Sequence, residues 1–97
     1  MIKNPYRKKI KKSFLLNIRC GQCKKDFAVY QKVGHGNVLR MYVSRIIECA
    51  VDLKPLPNQL NCQNCSKYIA DKSELKVKSA IAYRMRRSSY NMEEIHQ

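Results

Sequence analysis

The sequence predicts a small, mainly-β domain of antiparallel strands, stapled at two cysteine pairs. Three observations lead there. Cys-x-x-Cys occurs twice, as CGQC from Cys20 to Cys23 and CQNC from Cys62 to Cys65. The stretches around both pairs alternate apolar and polar residues with the period of two that a strand imposes. The chain of 97 residues is one domain's worth and buries a limited fraction of its surface, so reinforcement beyond an apolar core is expected.

Taken in order, residues 1–12 read as a flexible basic arm. Lys3, Arg7, Lys8, Lys9, Lys11 and Lys12 repel one another there, and only Ile2, Tyr6 and Ile10 could pack. The β domain proper is expected over residues 13–87. In SFLLNIR, Phe14, Leu16 and Ile18 fall on one face of a strand that runs into the first cysteine pair. DFAVYQKV is rich in β-branched and aromatic residues, GHGN supplies the turn chemistry of a tight loop, and Leu39, Met41 and Val43 then alternate with polar neighbours. Residues 26–43 therefore read as an inserted β-hairpin. RIIECAVDL fits either further strand or one helical turn. KPLPNQ is a loop, because its two prolines fix the chain and remove ladder donors. SKYIADKSE reads as a short strand and a turn.

LKVKSAIAYRMR is the most periodic stretch. It reads as one strand with Lys76, Lys78, Arg84 and Arg86 on one face and Leu75, Val77, Ile81, Tyr83 and Met85 on the other. Lysine and alanine are poor strand formers, which counts against it. Residues 88–97 read as a polar tail that frays or forms a short helix. The cysteine pairs are the one duplicated feature in the sequence.

Two thiolates at the tip of a Cys-x-x-Cys turn supply half a tetrahedron, and two such pairs close a four-cysteine site. Cys20, Cys23, Cys62 and Cys65 are thus the candidate ligands of one structural Zn2+, an ion that suits thiolates and adds folding energy. Two disulfides, a redox dithiol at CGQC and unconnected cysteines are the competing readings. Five cysteines without a secretion signal argue against the first, and a strand-like KKDFAVYQ argues against the second, which needs a helix after the motif. Cys49, set in the apolar IIECAV, reads as a buried small hydrophobe. His35 in GHGN reads as a solvated loop residue, and His96 carries no signal.

The strand–knuckle–strand pattern, NIRC and QLNC each leading into a cysteine pair and then into another strand, resembles the zinc ribbon (rubredoxin-like knuckle) superfamily over roughly residues 14–70. Gly21 and Gln63 stand where family knuckles often carry proline, Lys24 and Ser66 follow where glycine is common, and the spacer of residues 24–61 is longer than usual. The resemblance implies a zinc ribbon and a partner among RNA, DNA, the ribosome or RNA polymerase.

Charge points the same way. Twenty Lys+Arg against seven Asp+Glu give +13, self-repulsion that a polyanionic partner would relieve. No catalytic set is visible, so a non-enzymatic, nucleic-acid-binding protein is expected, with RNA slightly ahead of DNA and no small-molecule substrate. The candidate contacts are Lys8, Lys9, Lys11 and Lys12 of the arm, Arg40, Tyr42 and Arg45, and Lys76, Lys78, Arg84 and Arg86, with Arg87 following. The alternative is an adaptor docking on a polymerase or ribosome. No apolar run approaches the roughly 18 residues of a membrane span, and the apolar run from Phe14 to Leu16 is short for a signal peptide. The expectation is no membrane partner and a cytoplasmic protein, or a viral or phage protein acting inside a host cell.

Overall fold

A computed structural model describes residues 1–76 and 80–95. In chain order the strands are β1 (Ile2–Lys3), β2 (Phe14–Cys20), β3 (Asp26–Lys32), β4 (Arg40–Tyr42), β5 (Ile46–Cys49), β6 (Gln59–Asn61), β7 (Tyr68–Leu75), β8 (Ala80–Met85) and β9 (Tyr90–Ile95). One turn of 3-10 helix, Val43–Arg45, separates β4 from β5, so RIIECAVDL holds the end of that turn and then strand. Among the described residues there is no α-helix, and no helix is long and apolar enough to cross a membrane.

The strands form two antiparallel sheets, one ordered β1-β5-β3-β2-β9 and the other β4-β8-β7-β6. Their buried side chains merge into one apolar cluster, with Leu16, Ile18, Phe27 and Tyr30 from the first sheet and Met41, Leu60, Ile69 and Tyr83 from the second. In β2 the alternation is as expected: Leu16, Ile18 and Cys20 are buried and the residues between them are not. Strand β3 is buried on both sides, at Phe27, Ala28, Tyr30 and Gln31.

The duplication extends far beyond the cysteines. Dropping β9, the first sheet runs β1-β5-β3-β2 and the second β4-β8-β7-β6, so β1 matches β4, β2 matches β6, β3 matches β7 and β5 matches β8. The hydrogen bonds repeat as well. Cys20 N–H donates to Lys25 O at 2.9 Å and Lys24 N–H to Cys20 O at 3.0 Å; Cys62 N–H donates to Lys67 O at 2.9 Å and Ser66 N–H to Cys62 O at 2.9 Å. Ala28 faces Cys49 as Ala70 faces Met85. Ala50 N–H donates to Phe27 O as Arg86 N–H donates to Ile69 O. The matched core positions Ile18 and Leu60, Phe27 and Ile69, and Ala28 and Ala70 are all buried.

Four expectations are corrected. Residues 26–43 are not a hairpin: β3 pairs with β2 and β5, and β4 pairs with β8 in the other sheet. Both edges of β3 are taken, so the loop at Gly34 and Gly36, with φ of +76° and +104°, carries the chain across to the second sheet. Leu75–Arg86 is not one strand. Leu75 ends β7 and pairs with Ala80 at the start of β8, so Leu75 shares a face with Ala82 and Arg84 while Lys76 lies in the turn. Lys78, like His96, falls outside the described residues. The tail does not fray over Tyr90–Ile95, which is β9, paired with all but the first residue of β2. The arm, finally, is held. Asn4 is buried and its Nδ2 donates to Val43 O and Ile46 O, both at 2.7 Å. Gln31 is also buried; its Nε2 donates to Lys8 O at 2.8 Å and its Oε1 accepts from Ile10 N–H at 3.1 Å. The Asn4 bonds tie the arm to the carbonyl of Val43, in the 3-10 turn, and to that of Ile46, at the start of β5.

Candidate metal centre and the basic surface

Each sheet contributes one knuckle. The first joins β2 to β3 and the second joins β6 to β7, and each turn closes on a left-handed residue, Lys24 at φ +66° and Ser66 at φ +67°. These are the positions where the ribbon pattern more often has glycine, and two ordinary residues take up the strained conformation here. A register shift at Ile18/Arg19 and another at Leu60/Asn61 mark a bulge at each knuckle base, which turns the strand end and re-aims its cysteine.

The four Sγ atoms of Cys20, Cys23, Cys62 and Cys65 lie within 4.8 Å of one another. The 3.5 Å contacts run between knuckles, Cys20 to Cys65 and Cys23 to Cys62. All five cysteines are free thiols. A tetrahedron with metal–sulfur bonds of about 2.3 Å has edges of roughly 3.8 Å, so the four sulfurs are positioned to coordinate one metal ion, compatible with a single Zn2+. Electrostatics agree. Burial resists ionisation of Cys20, but the N–H groups of Cys23 and Gln22 outweigh it and hold the thiol below its ordinary value. Cys23 is lowered to about 6, first by Lys25 N–H and then by Asn64. Lys67 N–H favours the thiolate of Cys65 too, yet burial and the other three sulfurs push that thiol up. Backbone donors prepare the cluster for negative charge, and a central cation is what would let all four sulfurs carry it. Cys49 stands apart, fully buried in the apolar cluster, where burial raises its thiol to about 11.

Gly21 answers the missing proline of the first knuckle. Its N–H donates to Ser89 O at 2.8 Å, and a Cβ there would meet Ser89 C at 2.9 Å and Tyr90 N at 3.0 Å. The chain entering β9 presses on this knuckle. Gln63, its counterpart, is exposed, because the second sheet has no strand matching β9.

The basic residues divide into groups. Lys8, Lys9, Lys11 and Lys12 are exposed along the arm. Arg45 stacks over the Tyr42 ring at 4.7 Å. Arg86 stacks over Tyr68 at 4.2 Å and lies 3.7 Å from Asp71. Arg40 and Arg84 are brought face to face as direct cross-strand partners of β4 and β8, both exposed. No acidic side chain is within ion-pair distance of either, or of Arg87, among the described residues. Tyr90 and Leu39, which the sequence did not single out, line a cavity with these three arginines. Neither could be found from spacing, since the cavity is assembled from β4, β8 and β9.

No protein-family model, curated protein or solved structure matches this chain.

Proposed function

We propose that the chain is a non-catalytic zinc-ribbon protein that binds nucleic acid through its phosphate backbone, with RNA ahead of DNA. The observation that carries this reading is the Arg40–Arg84 pair. Like charges directly opposite in a sheet destabilise it, and here two arginines face each other without an acid to separate them, in a chain of net charge +13. A bound phosphate would turn that repulsion into two charge-assisted contacts. Zinc is the ion proposed for the sulfur cluster because four thiolates select it and fill its tetrahedron, leaving no open position for substrate. RNA is placed first because the described residues offer no α-helix to enter a DNA major groove.

The test is binding of RNA and DNA by the zinc-loaded protein across a salt series. The log–log slope should be steep, about 0.7–0.9 per phosphate neutralised. Absence of binding at moderate salt, with capture of a protein assembly that survives nuclease, would replace this reading with a docking adaptor.

A further inference from the structure

Resting on that nucleic-acid reading, we infer that the cavity between β4, β8 and β9 is a single-strand site that receives an unpaired base with its phosphate. The cavity has a volume of about 730 Å³, inside the roughly 300–1,000 Å³ of ligand clefts. Its rim carries Arg40, Arg84 and Arg87, and its walls include Leu39 and Tyr90. A second cavity of about 440 Å³ shares Arg84 and Arg87 and is lined as well by Arg86 and Asp71, which pair with each other, so net positive charge continues past the first cavity.

The contents distinguish a single strand from a duplex. Duplex DNA or RNA presents sugar and phosphate outward and keeps its bases stacked inside, so a duplex would use the arginines and leave the apolar walls idle. Leu39 is 72% exposed, an apolar side chain in water beside three cations. The Tyr90 ring is half-buried and fixed, since its hydroxyl donates to Val38 O at 2.5 Å. The pinned aromatic ring offers a face for an extruded base to stack upon, every base having a π-face to match, and Leu39 adds apolar surface in the same cavity. Asn37, exposed at the mouth, offers an amide to a base edge. Arg86, by contrast, already has its ring and its acid, which leaves Arg40, Arg84 and Arg87 for the phosphates.

The experiment compares labelled oligouridylate with an RNA duplex of equal length, at one salt concentration, on the zinc-loaded full chain. Single strand should bind roughly tenfold or more tighter than duplex, since each stacked base adds affinity that a duplex forgoes. The charge-neutral variant Leu39→Ser should lower single-strand affinity roughly threefold or more through lost apolar contact and leave duplex affinity within about twofold, because it changes no charge at the arginine rim. The combined Arg40→Ala/Arg84→Ala/Arg87→Ala variant should weaken both. These side chains lie at the surface, so folding is checked simply by retained zinc. As a second measurement, 4-thiouridine in the oligonucleotide should crosslink to the segments carrying Leu39 and Tyr90. Equal binding of strand and duplex with Leu39→Ser silent, or crosslinks confined to the arm, overturns the single-strand site while the nucleic-acid reading stands. Failure of wild-type protein to bind either probe overturns both.

Discussion

Gly21 and Gln63 occupy the same place in the two knuckles, yet only Gly21 faces the entry to β9, 2.9 Å from backbone where its Cβ would be. Gly21→Ala must therefore displace main chain, and a cost of about 1–3 kcal/mol is expected. Gln63→Ala, at the exposed counterpart, should stay within about 0.5 kcal/mol. Urea unfolding of the zinc-loaded variants compares the two. Cys49 gives a second residue-level test. Its folded thiol is raised to about 11 from 9.0 by burial, so the proton is held more tightly in the folded state. The stability this contributes is present below pH 9 and is lost as pH rises through about 11. Native protein should resist alkylation at Cys49 at neutral pH and react once unfolded. Cys49→Ala should keep its zinc and cost at most about 3 kcal/mol; loss of metal in that variant would place Cys49 among the ligands.

At the level of elements, the arm and the last strand show how local pattern misleads. Lys8, Lys9, Lys11 and Lys12 are exposed and mutually repelling, as composition demands, but Asn4 and Gln31 anchor the backbone between and beside them. Asn4→Ala removes two buried hydrogen bonds, to Val43 O and Ile46 O, and should cost about 1–3 kcal/mol, read as a lower urea midpoint. Deleting residues 1–12 would remove β1 and this anchor together with the charge. Changing the four lysines to glutamine is the cleaner test of phosphate binding by the arm, and should lower the salt slope by about 0.7–0.9 for every phosphate that the arm no longer neutralises. An unchanged slope would remove the arm from the nucleic-acid surface. In β9, Tyr90–Ile95, half of the side chains are polar or acidic and the strand lies at the edge of its sheet. Nothing in its composition announces a strand. The ladder with β2 and the Arg19 pair with Glu93 make it one.

Over the whole molecule, the two sheets share one apolar cluster, and the four sulfurs join the β2–β3 turn to the β6–β7 turn. A metal held there ties the two sheets together, and its binding energy is folding energy. Chelation at neutral pH should abolish cooperative unfolding, and Cys20→Ser and Cys62→Ser should do so alike, because each removes one ligand from matched positions. Acidification should release the metal, since protons compete for thiolates. Elemental analysis alongside thermal unfolding measures all three; a chelated protein that still unfolds cooperatively at the same midpoint would show the metal to be dispensable.

The sequence by itself determined the strand class, the inward face of β2, the existence of β3 as a strand, the four clustered cysteines and the separation of Cys49 from them. Those features follow from spacing and period, which are local. Only the tertiary structure decided which strands pair. Residues 26–43 have every mark of a hairpin, but hairpin chemistry specifies a turn, and the edges of β3 go to the strands that complete its burial, β2 and β5. The alternation from Leu75 to Arg86 runs through a turn because a period of two cannot register a reversal of direction. The duplication of the sheets was hidden for a related reason: the matched halves share buried positions and hydrogen bonds more than residue identities, and β4 of one half precedes β5 of the other along the chain. Arg40, Arg84, Arg87 and Tyr90 come together only where both sheets are in place, since long-range strand pairing, which no short stretch encodes, sets their distances.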